Sequence, residues 1–323
     1  MTEQQGTLAI EARGLVKTFG TNRAVDGVDL SIPSGCIYAL LGPNGAGKTT
    51  IINLLTTLLK PDGGTARVFS HDVLREAHVV RQLISVTGQS AAVDEKLSGH
   101  ENLTIFAMLL GFGKSQASKR ATELLEEFGL GDAANRTLDK YSGGMRRRLD
   151  LACSMIVQTP LIFLDEPTTG LDPRTRLQMW EIIRRLVVTG STVVLTTQYL
   201  DEADQLADRV AVIDRGRIVA EDTPRNLKAA IGRVTLHMQL ANEKDVPDAA
   251  RIAEGILNVR ASVPDTRWVT APMTDPEKVT DLLVAWRGAN SQLASVGMRE
   301  PTLDEVFLAL TGGPKLAEAK IMQ

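Results

Sequence analysis

The sequence predicts an α/β protein built on a mostly parallel sheet and followed by a smaller α+β module. Three observations carry that expectation. Between residues 37 and 207 short apolar runs alternate with stretches of helical periodicity, the pattern of βα units. A glycine-rich turn separates the first such strand from its helix. Beyond residue 231 the pattern reads strand, helix, strand, strand, helix, strand. The length of 323 residues leaves room for both parts.

In order, Leu8–Ala12 and Val25–Ile32 read as strands of a small antiparallel sheet, separated by Gly20-Thr21-Asn22 and closed by Pro33-Ser34-Gly35. Ile37–Leu41 is a continuous apolar run, and Thr49–Leu59 places leucine and isoleucine at helical spacing. Residues 74–138 favour helix, with Ala117–Phe128 an amphipathic helix stopped at Gly129, so a helical insert is expected over about 85–155. Helix Gly144–Val157, strand Leu161–Asp165, helix Arg174–Val188, strand Thr192–Thr196 and helix Leu200–Ala207 supply the alternation that demands a parallel sheet. Val210–Ile213 and Arg217–Glu221 flank Asp214-Arg215-Gly216 as a hairpin, and Thr223-Pro224 opens a short helix.

The first domain is therefore expected over 8–230 and an accessory domain over 231–312. Its elements are strand Val234–Leu240, helix Asp248–Ile256, strands Asn258–Val263 and Trp268–Pro272, helix Pro276–Arg287 and strand Leu293–Met298. That order suggests a ferredoxin-like module. Trp268 and Trp286 are expected in its packing rather than in a ligand cage. Thr302 and Glu305 form a capping box for a last helix, whose Leu303, Val306, Phe307 and Leu310 share one face. Residues 313–323 are expected to be a flexible tail.

Composition excludes several functions. Thirty-six basic against 39 acidic side chains leave a net charge of −3, so no nucleic-acid partner is expected. Two cysteines, Cys36 and Cys153, are too few for a disulfide framework or a zinc site, and the four histidines show no paired ligand spacing. The polar start Met1–Thr7 does not read as a secretory signal, and no apolar run reaches the roughly 18 residues of a membrane span. A chain that stays inside the cell is expected, with any membrane role passing through a partner.

Gly42-Pro43-Asn44-Gly45-Ala46-Gly47-Lys48-Thr49, followed by Thr50, is a P-loop in the strand-to-helix context that the motif requires. Its glycines let backbone N–H groups surround phosphate, Lys48 reaches the β- and γ-phosphates, and Thr49 offers a magnesium ligand. Leu161-Ile162-Phe163-Leu164-Asp165 is a buried strand ending in a carboxylate that suits Mg²⁺ beside such a loop. Glu166 follows, placed to polarise the water that attacks the γ-phosphorus. Taken alone, an Asp-Glu pair is a solvated strand end; the P-loop gives it meaning. Ser142, Gly143 and Gly144 start a helix, so a hydroxyl and free N–H groups can face an anion. Arg146, Arg147 and Arg148 oppose the helix dipole there, which favours a phosphate or carboxylate partner for them, the alternative for any single one being a solvated basic face.

Tyr141-Ser142-Gly143-Gly144-Met145 resembles the LSGGQ signature of ATP-binding-cassette proteins, and with the P-loop and Asp165-Glu166 the resemblance covers about residues 8–225. It implies a P-loop NTPase with a RecA-like core, an antiparallel β subdomain and a helical insert. It further implies that Gln89 is the Q-loop residue and a ligand of ATP and magnesium, Leu171-Asp172 the D-loop, and Phe19 the aromatic that stacks on adenine. The cofactors implied are ATP and Mg²⁺. The family's assembly implies a head-to-tail homodimer with two ATP at the interface, peripheral to the cytoplasmic face of the membrane, with an integral membrane permease as partner. The wording Ile84–Glu95, Gln198 and Leu303–Gly312 is similar to the daunorubicin-resistance branch of bacterial exporters. The activity implied is ATP hydrolysis that powers efflux of a hydrophobic drug, antibiotic or lipid.

Two residues depart from the pattern. Gln198 stands where the family's switch histidine is usual; its amide can donate a hydrogen bond to the γ-phosphate but cannot exchange protons near neutral pH. Glu166 is thus expected to be the base and Gln198 to position. Met145 replaces the last glutamine of the signature with a weak acceptor. The alternative is a soluble ATPase of the same family acting on DNA or ribosomes. Against it, no sustained heptad pattern lies between Lys48 and Ser142, and the chain has one P-loop.

Overall fold

Residues 7–88, 93–232, 234–273, 275, 277–289 and 292–311 are described by the computed structural model. Gln89 and the expected tail 313–323 lie outside them. The chain divides into two compact units, residues 1–224 and 225–323.

The first unit runs β1 (Leu8–Phe19), β2 (Asn22–Pro33), β3 (Ile37–Leu41), α1 (Lys48–Leu55), β4 (Gly63–Val68), β5 (His71–Asp72), α2 (Ala77–Leu83) and β6 (Ile84–Thr87). The helical insert follows as α3 (Gly99–Leu109), α4 (Lys114–Glu127) and α5 (Gly143–Ser154). The chain then alternates through β7 (Leu161–Asp165), α6 (Pro173–Val188), β8 (Thr192–Thr197), α7 (Leu200–Leu206), β9 (Arg209–Asp214) and β10 (Arg217–Asp222).

Among the described residues these strands form two sheets, ordered β2-β1-β4-β5 and β10-β9-β3-β8-β7-β6. The first is antiparallel. In the second, β9, β3, β8, β7 and β6 are parallel, with β10 added antiparallel at the edge. Every residue of β3, β7 and β8 is buried, as parallel strands covered on both faces must be. One apolar core joins the sheets: Ile10 and Leu30 from the first, Leu40, Phe163 and Val194 from the second, and Ile51 and Leu54 of α1. Buried α1 packs against β2, β4 and β7, which fixes the loop before it between the sheets.

Three strands of the first unit, β4, β5 and β6, were not expected from the sequence, β5 being only the two residues His71 and Asp72. β4 begins with Gly63-Gly64, which reads as a turn; Gly64 has φ 81° and a Cβ there would sit 2.3 Å from the Gly14 carbonyl oxygen. β6, Ile84-Ser85-Val86-Thr87, is four residues long and follows α2 with no turn, so the expected helical insert is interrupted by a strand of the main sheet.

The second unit holds α8 (Pro224–Ile231), β11 (Thr235–Leu240), α9 (Val246–Leu257), β12 (Ser262–Asp265), β13 (Trp268–Pro272), α10 (Lys278–Gly288), β14 (Leu293–Arg299) and α11 (Leu303–Thr311). Its sheet is ordered β12-β13-β11-β14, all antiparallel. Leu236, Met238 and Leu240 alternate inward from β11 and meet Ala249, Ala253 and Trp286. Trp286 is fully buried and donates its Nε1–H to the Ala249 carbonyl at 3.2 Å, whereas Trp268 is only half-buried. The capping box is formed: the Glu305 amide donates to Thr302 Oγ1 and the Thr302 amide to Glu305 Oε2.

Candidate functional site

The P-loop leaves β3 at Leu41 and is tied at once to the neighbouring strand, the Gly42 amide donating to the Thr197 carbonyl at 3.2 Å. Packing explains its glycines. A Cβ on Gly42 would lie 2.3 Å from the Ile213 carbonyl oxygen, and one on Gly47 2.3 Å from that of Ala24. Gly47, with φ 105°, is the N-cap of α1, so the first amides of that helix open onto the loop. Lys48 is 4% exposed. Its Nζ donates to the carbonyls of Gly42 at 2.7 Å and Pro43 at 3.1 Å and lies 3.6 Å from Glu166 Oε1. Burial lowers its pKa below the ordinary lysine value, while the Glu166 and Asp165 carboxylates act in the opposite direction.

Beside Lys48, Thr49 Oγ1 donates to the Asp165 carboxylate, 3.0 Å from Oδ2 and 3.2 Å from Oδ1. Thr196 Oγ1, fully buried in β8, donates to Asp165 Oδ1 at 2.5 Å. The same hydroxyl oxygen accepts the Glu166 amide at 3.0 Å. Among the described residues no cluster of three or more His, Cys, Asp or Glu side chains is placed to hold a metal. A divalent ion here would depend on one hydroxyl, one carboxylate, water and phosphate, the donor set that suits Mg²⁺.

A cleft of about 350 Å³ on the signature side and one of about 480 Å³ on the P-loop side share a single wall residue, Glu166. Gly45, Gly47, Lys48, Thr49 and Thr50 floor the larger cleft. Phe19, at the end of β1, is 47% exposed at its mouth and carries the Lys17 ammonium 5.7 Å from its ring centroid. Glu166 adopts φ 50°, a left-handed conformation that costs a non-glycine residue roughly 1–3 kcal/mol. Its Oε2 accepts from Thr169 Oγ1 at 3.2 Å. Gln198 is the first residue beyond β8, half-buried at the sheet edge from which the P-loop and Asp165 also emerge.

The signature side is built differently. Ser142 caps α5 by accepting the Met145 amide at 3.3 Å, and both Ser142 and Gly143 are exposed. A Cβ on Gly143 would meet nothing within 4 Å, whereas one on Gly144 would lie 2.6 Å from Thr175 Cγ2. Thr175 in turn donates its amide (3.0 Å) and hydroxyl (2.6 Å) to Asp172, the N-cap of α6. Those two bonds hold the Asp172 carboxyl below the usual carboxylate range. Arg146 pairs with Glu95 at 2.7 Å and Arg147 with Asp150 at 3.2 Å, the carboxylate partners their position called for. Arg148 instead donates to the carbonyls of Phe128 and Gly129.

The fold therefore gathers Phe19, the P-loop, Asp165 and Glu166 about one cleft, and Ser142, Gly143, Gly144 and Asp172 on another face. Sequence reasoning missed Thr196, Thr169, Asn22 and Ala24. Thr196 had a signal, a hydroxyl directly after the apolar run Val193-Val194-Leu195; Asn22 and Ala24 line the larger cleft from β2, far from any motif.

Residues 25–169 match the family described as ABC transporter. The chain is 53% identical to the daunorubicin/doxorubicin resistance ATP-binding protein DrrA of Streptomyces peucetius, over 96% of this chain and 94% of that protein. It is 45% identical to the doxorubicin resistance ATP-binding protein DrrA of Mycobacterium tuberculosis, over 95% of each. A solved ATP-binding subunit of an ABC transporter superposes with a TM-score of 0.61 at 25% identity, covering 69% of this chain and 92% of that one. With its P-loop, buried Asp165 and adjoining Glu166 in place, this chain belongs to the ABC transporter family as an ATP-binding, ATP-hydrolysing subunit.

Proposed function

We propose that the chain powers export of a hydrophobic drug, antibiotic or lipid through a separate integral membrane permease, lying peripherally at the cytoplasmic face of the membrane. The observation that carries this reading is similarity to drug-resistance ATP-binding proteins over nearly the whole chain, second unit included. Among the described residues no helix is long and apolar enough to cross a membrane, so passage through the bilayer falls to another chain.

The residues divide the work as follows. Lys48 exchanges the Gly42 and Pro43 carbonyls for phosphate oxygens, and the amides of Asn44 to Thr50 surround the triphosphate. Phe19 stacks on the base. Thr49 and Asp165 would hold Mg²⁺, which when bound neutralises charge on the phosphates. Glu166 takes the proton of the attacking water, and Gln198 donates a hydrogen bond to the γ-phosphate. Gln89 belongs with these as the γ-phosphate sensor.

The larger cleft has no signature residue in its lining, while Ser142 and Gly143 face outward with a capped helix behind them. This supports a head-to-tail homodimer in which each ATP lies between one P-loop and the partner's signature, with Asp172 at the seam. The C-terminal βαββαβ sheet, with its first and third strands central, supports the ferredoxin-like reading of an accessory domain. The test is affinity purification from native membranes in mild detergent, followed by mass spectrometry. One co-purifying polytopic protein that raises ATP hydrolysis when reconstituted with the chain is the expected result; recovery with ribosomes or DNA-processing proteins would overturn the transport reading.

A further inference from the structure

We propose that Arg147 is a positioning residue for hydrolysis: it clamps the turn that carries Glu166 and couples that carboxylate to the helix bearing the signature. The inference rests on the reading of Glu166 as the base. A guanidinium has five N–H donors in a rigid plane, and Arg147 directs all of them into one small region. Nε donates to the Pro167 carbonyl at 3.0 Å. One Nη donates to Gly88 O at 2.9 Å and to Asp150 Oδ2 at 3.2 Å, the other to Asp165 O at 2.9 Å and Glu166 O at 3.0 Å. Three consecutive carbonyls, those of residues 165, 166 and 167, thus converge on one side chain that is only 14% exposed.

The turn so held is the strained one. A left-handed non-glycine residue persists only where its surroundings over-determine it, and Glu166 is gripped on both sides. Thr196 holds its amide through Oγ1 at 3.0 Å and its own carbonyl at 3.2 Å, and Arg147 holds its carbonyl. The first grip comes from the central sheet, which cannot shift without disturbing the core. The second comes from α5, whose N-cap is Ser142. The two neighbouring arginines of the same helix make no such bonds: Arg146 reaches Glu95, Leu138 and Asp139, and Arg148 reaches Phe128 and Gly129. A displacement of α5 when the signature meets nucleotide would therefore pass through Arg147 to the Glu166 carboxylate of the same chain, which serves the other ATP of a head-to-tail dimer.

The experiment compares Arg147→Met, Arg147→Lys, Glu166→Gln, the double variant Arg147→Met/Glu166→Gln, and Arg120→Met as a bracing control. Arg120 also spans carbonyls, those of Met155 and Ile156, but away from the site. Measured are kcat and KM for Mg-ATP, ATP affinity and the melting temperature. Arg147→Met is expected to lower kcat roughly 10–100-fold, the cost of a misplaced catalytic group, with ATP affinity kept within about twofold. Arg147→Lys should recover part of kcat, because an ammonium reaches some of those carbonyls but not all. Adding Arg147→Met to Glu166→Gln should slow the residual rate no further, and Arg120→Met should lower the melting temperature while sparing kcat. Wild-type kcat in Arg147→Met, or a multiplicative loss in the double variant, overturns the proposal. If Arg147→Met fails to fold, Arg147→Lys decides: wild-type kcat overturns, and a lowered kcat with unchanged KM supports. A Glu166→Gln chain that hydrolyses at the wild-type rate instead removes the base assignment, and the proposal with it.

Discussion

Helices α1 and α5 both begin on glycine-containing turns, and the chain finishes their ends in opposite ways. At α1 the turn is buried between two sheets, its glycines have no room for a Cβ at positions 42 and 47, and Lys48 is held by carbonyls of the loop itself. At α5 the turn is exposed, Ser142 caps its own helix, and Gly143 has open space in front of it. The first end is completed by this chain; the second stands open, which the proposed head-to-tail dimer would use. A glycine can thus be required because the protein crowds it or because a ligand must approach, and the two cases separate under mutation.

The largest expected effect falls on the completed end. Lys48→Ala should reduce ATP hydrolysis by at least about a hundredfold, the usual cost of removing a preorganised donor to developing phosphate charge. Equilibrium binding of a fluorescent ATP analogue should fall with it, and an alanine variant that still binds and hydrolyses would break the comparison at its root. Gly143→Ala is next. Because nothing lies within 4 Å of the added methyl, the melting temperature should stay put while, on the proposed head-to-tail dimer, hydrolysis drops on the order of tenfold as a nucleotide held by the second copy is misplaced. Gly144→Ala sharpens the contrast, since its methyl must displace Thr175 and loosen the Asp172 cap, so stability and rate should fall together. A Gly143→Ala chain that melts early but hydrolyses normally per folded molecule would reverse the reading.

The same contrast explains what could be read from the sequence. The P-loop was legible because its function is written in contiguous residues, and so was β7, whose five apolar and acidic positions end at the carboxylate. The alternation of βα units gave the parallel sheet, because strands buried on both faces must be apolar throughout. β4 and β6 escaped because paired glycines imitate a turn and four residues fall below any usable period. The grip on Glu166 escaped for a deeper reason. Its acceptors are backbone carbonyls of residues 88, 165, 166 and 167, and a carbonyl leaves no trace in residue identity. Arg147 was conspicuous as one of three arginines opposing a helix dipole, but only the fold distinguishes it from its neighbours.

Gln198, the first residue beyond β8, should give a smaller effect. Gln198→Ala is expected to slow hydrolysis about fivefold, the worth of one net hydrogen bond near 1 kcal/mol. Gln198→His should instead introduce a titration near pH 6.5 into the rate profile, which the wild-type glutamine cannot produce. A wild-type profile that already carries that titration would mean that proton exchange at the γ-phosphate comes from a group other than residue 198.

The smallest effect concerns Glu202, a fully buried carboxylate of α7 that joins the turn after Glu166 to the helix behind it. Thr168 Oγ1 donates to its Oε1 at 2.8 Å and the Trp180 indole N–H at 3.2 Å. Burial raises its pKa above the ordinary value, and the donated hydrogen bonds only partly offset this. The sign follows. Above the unfolded carboxylate pKa of about 4.3 the native chain holds more protons at this position than the unfolded chain. Stability contributed here is therefore lost as pH rises from that value through the native pKa. Glutamine keeps an acceptor for Thr168 and Trp180 and cannot ionise, so Glu202→Gln should be at least as stable as wild type near neutrality. The advantage should stay within about 1 kcal/mol and vanish near pH 4. Urea melts at the two pH values measure it. A Glu202→Gln chain that is less stable at neutral pH than at pH 4, relative to wild type, would show that the carboxylate is ionised in the fold and held by a charge rather than by these two donors.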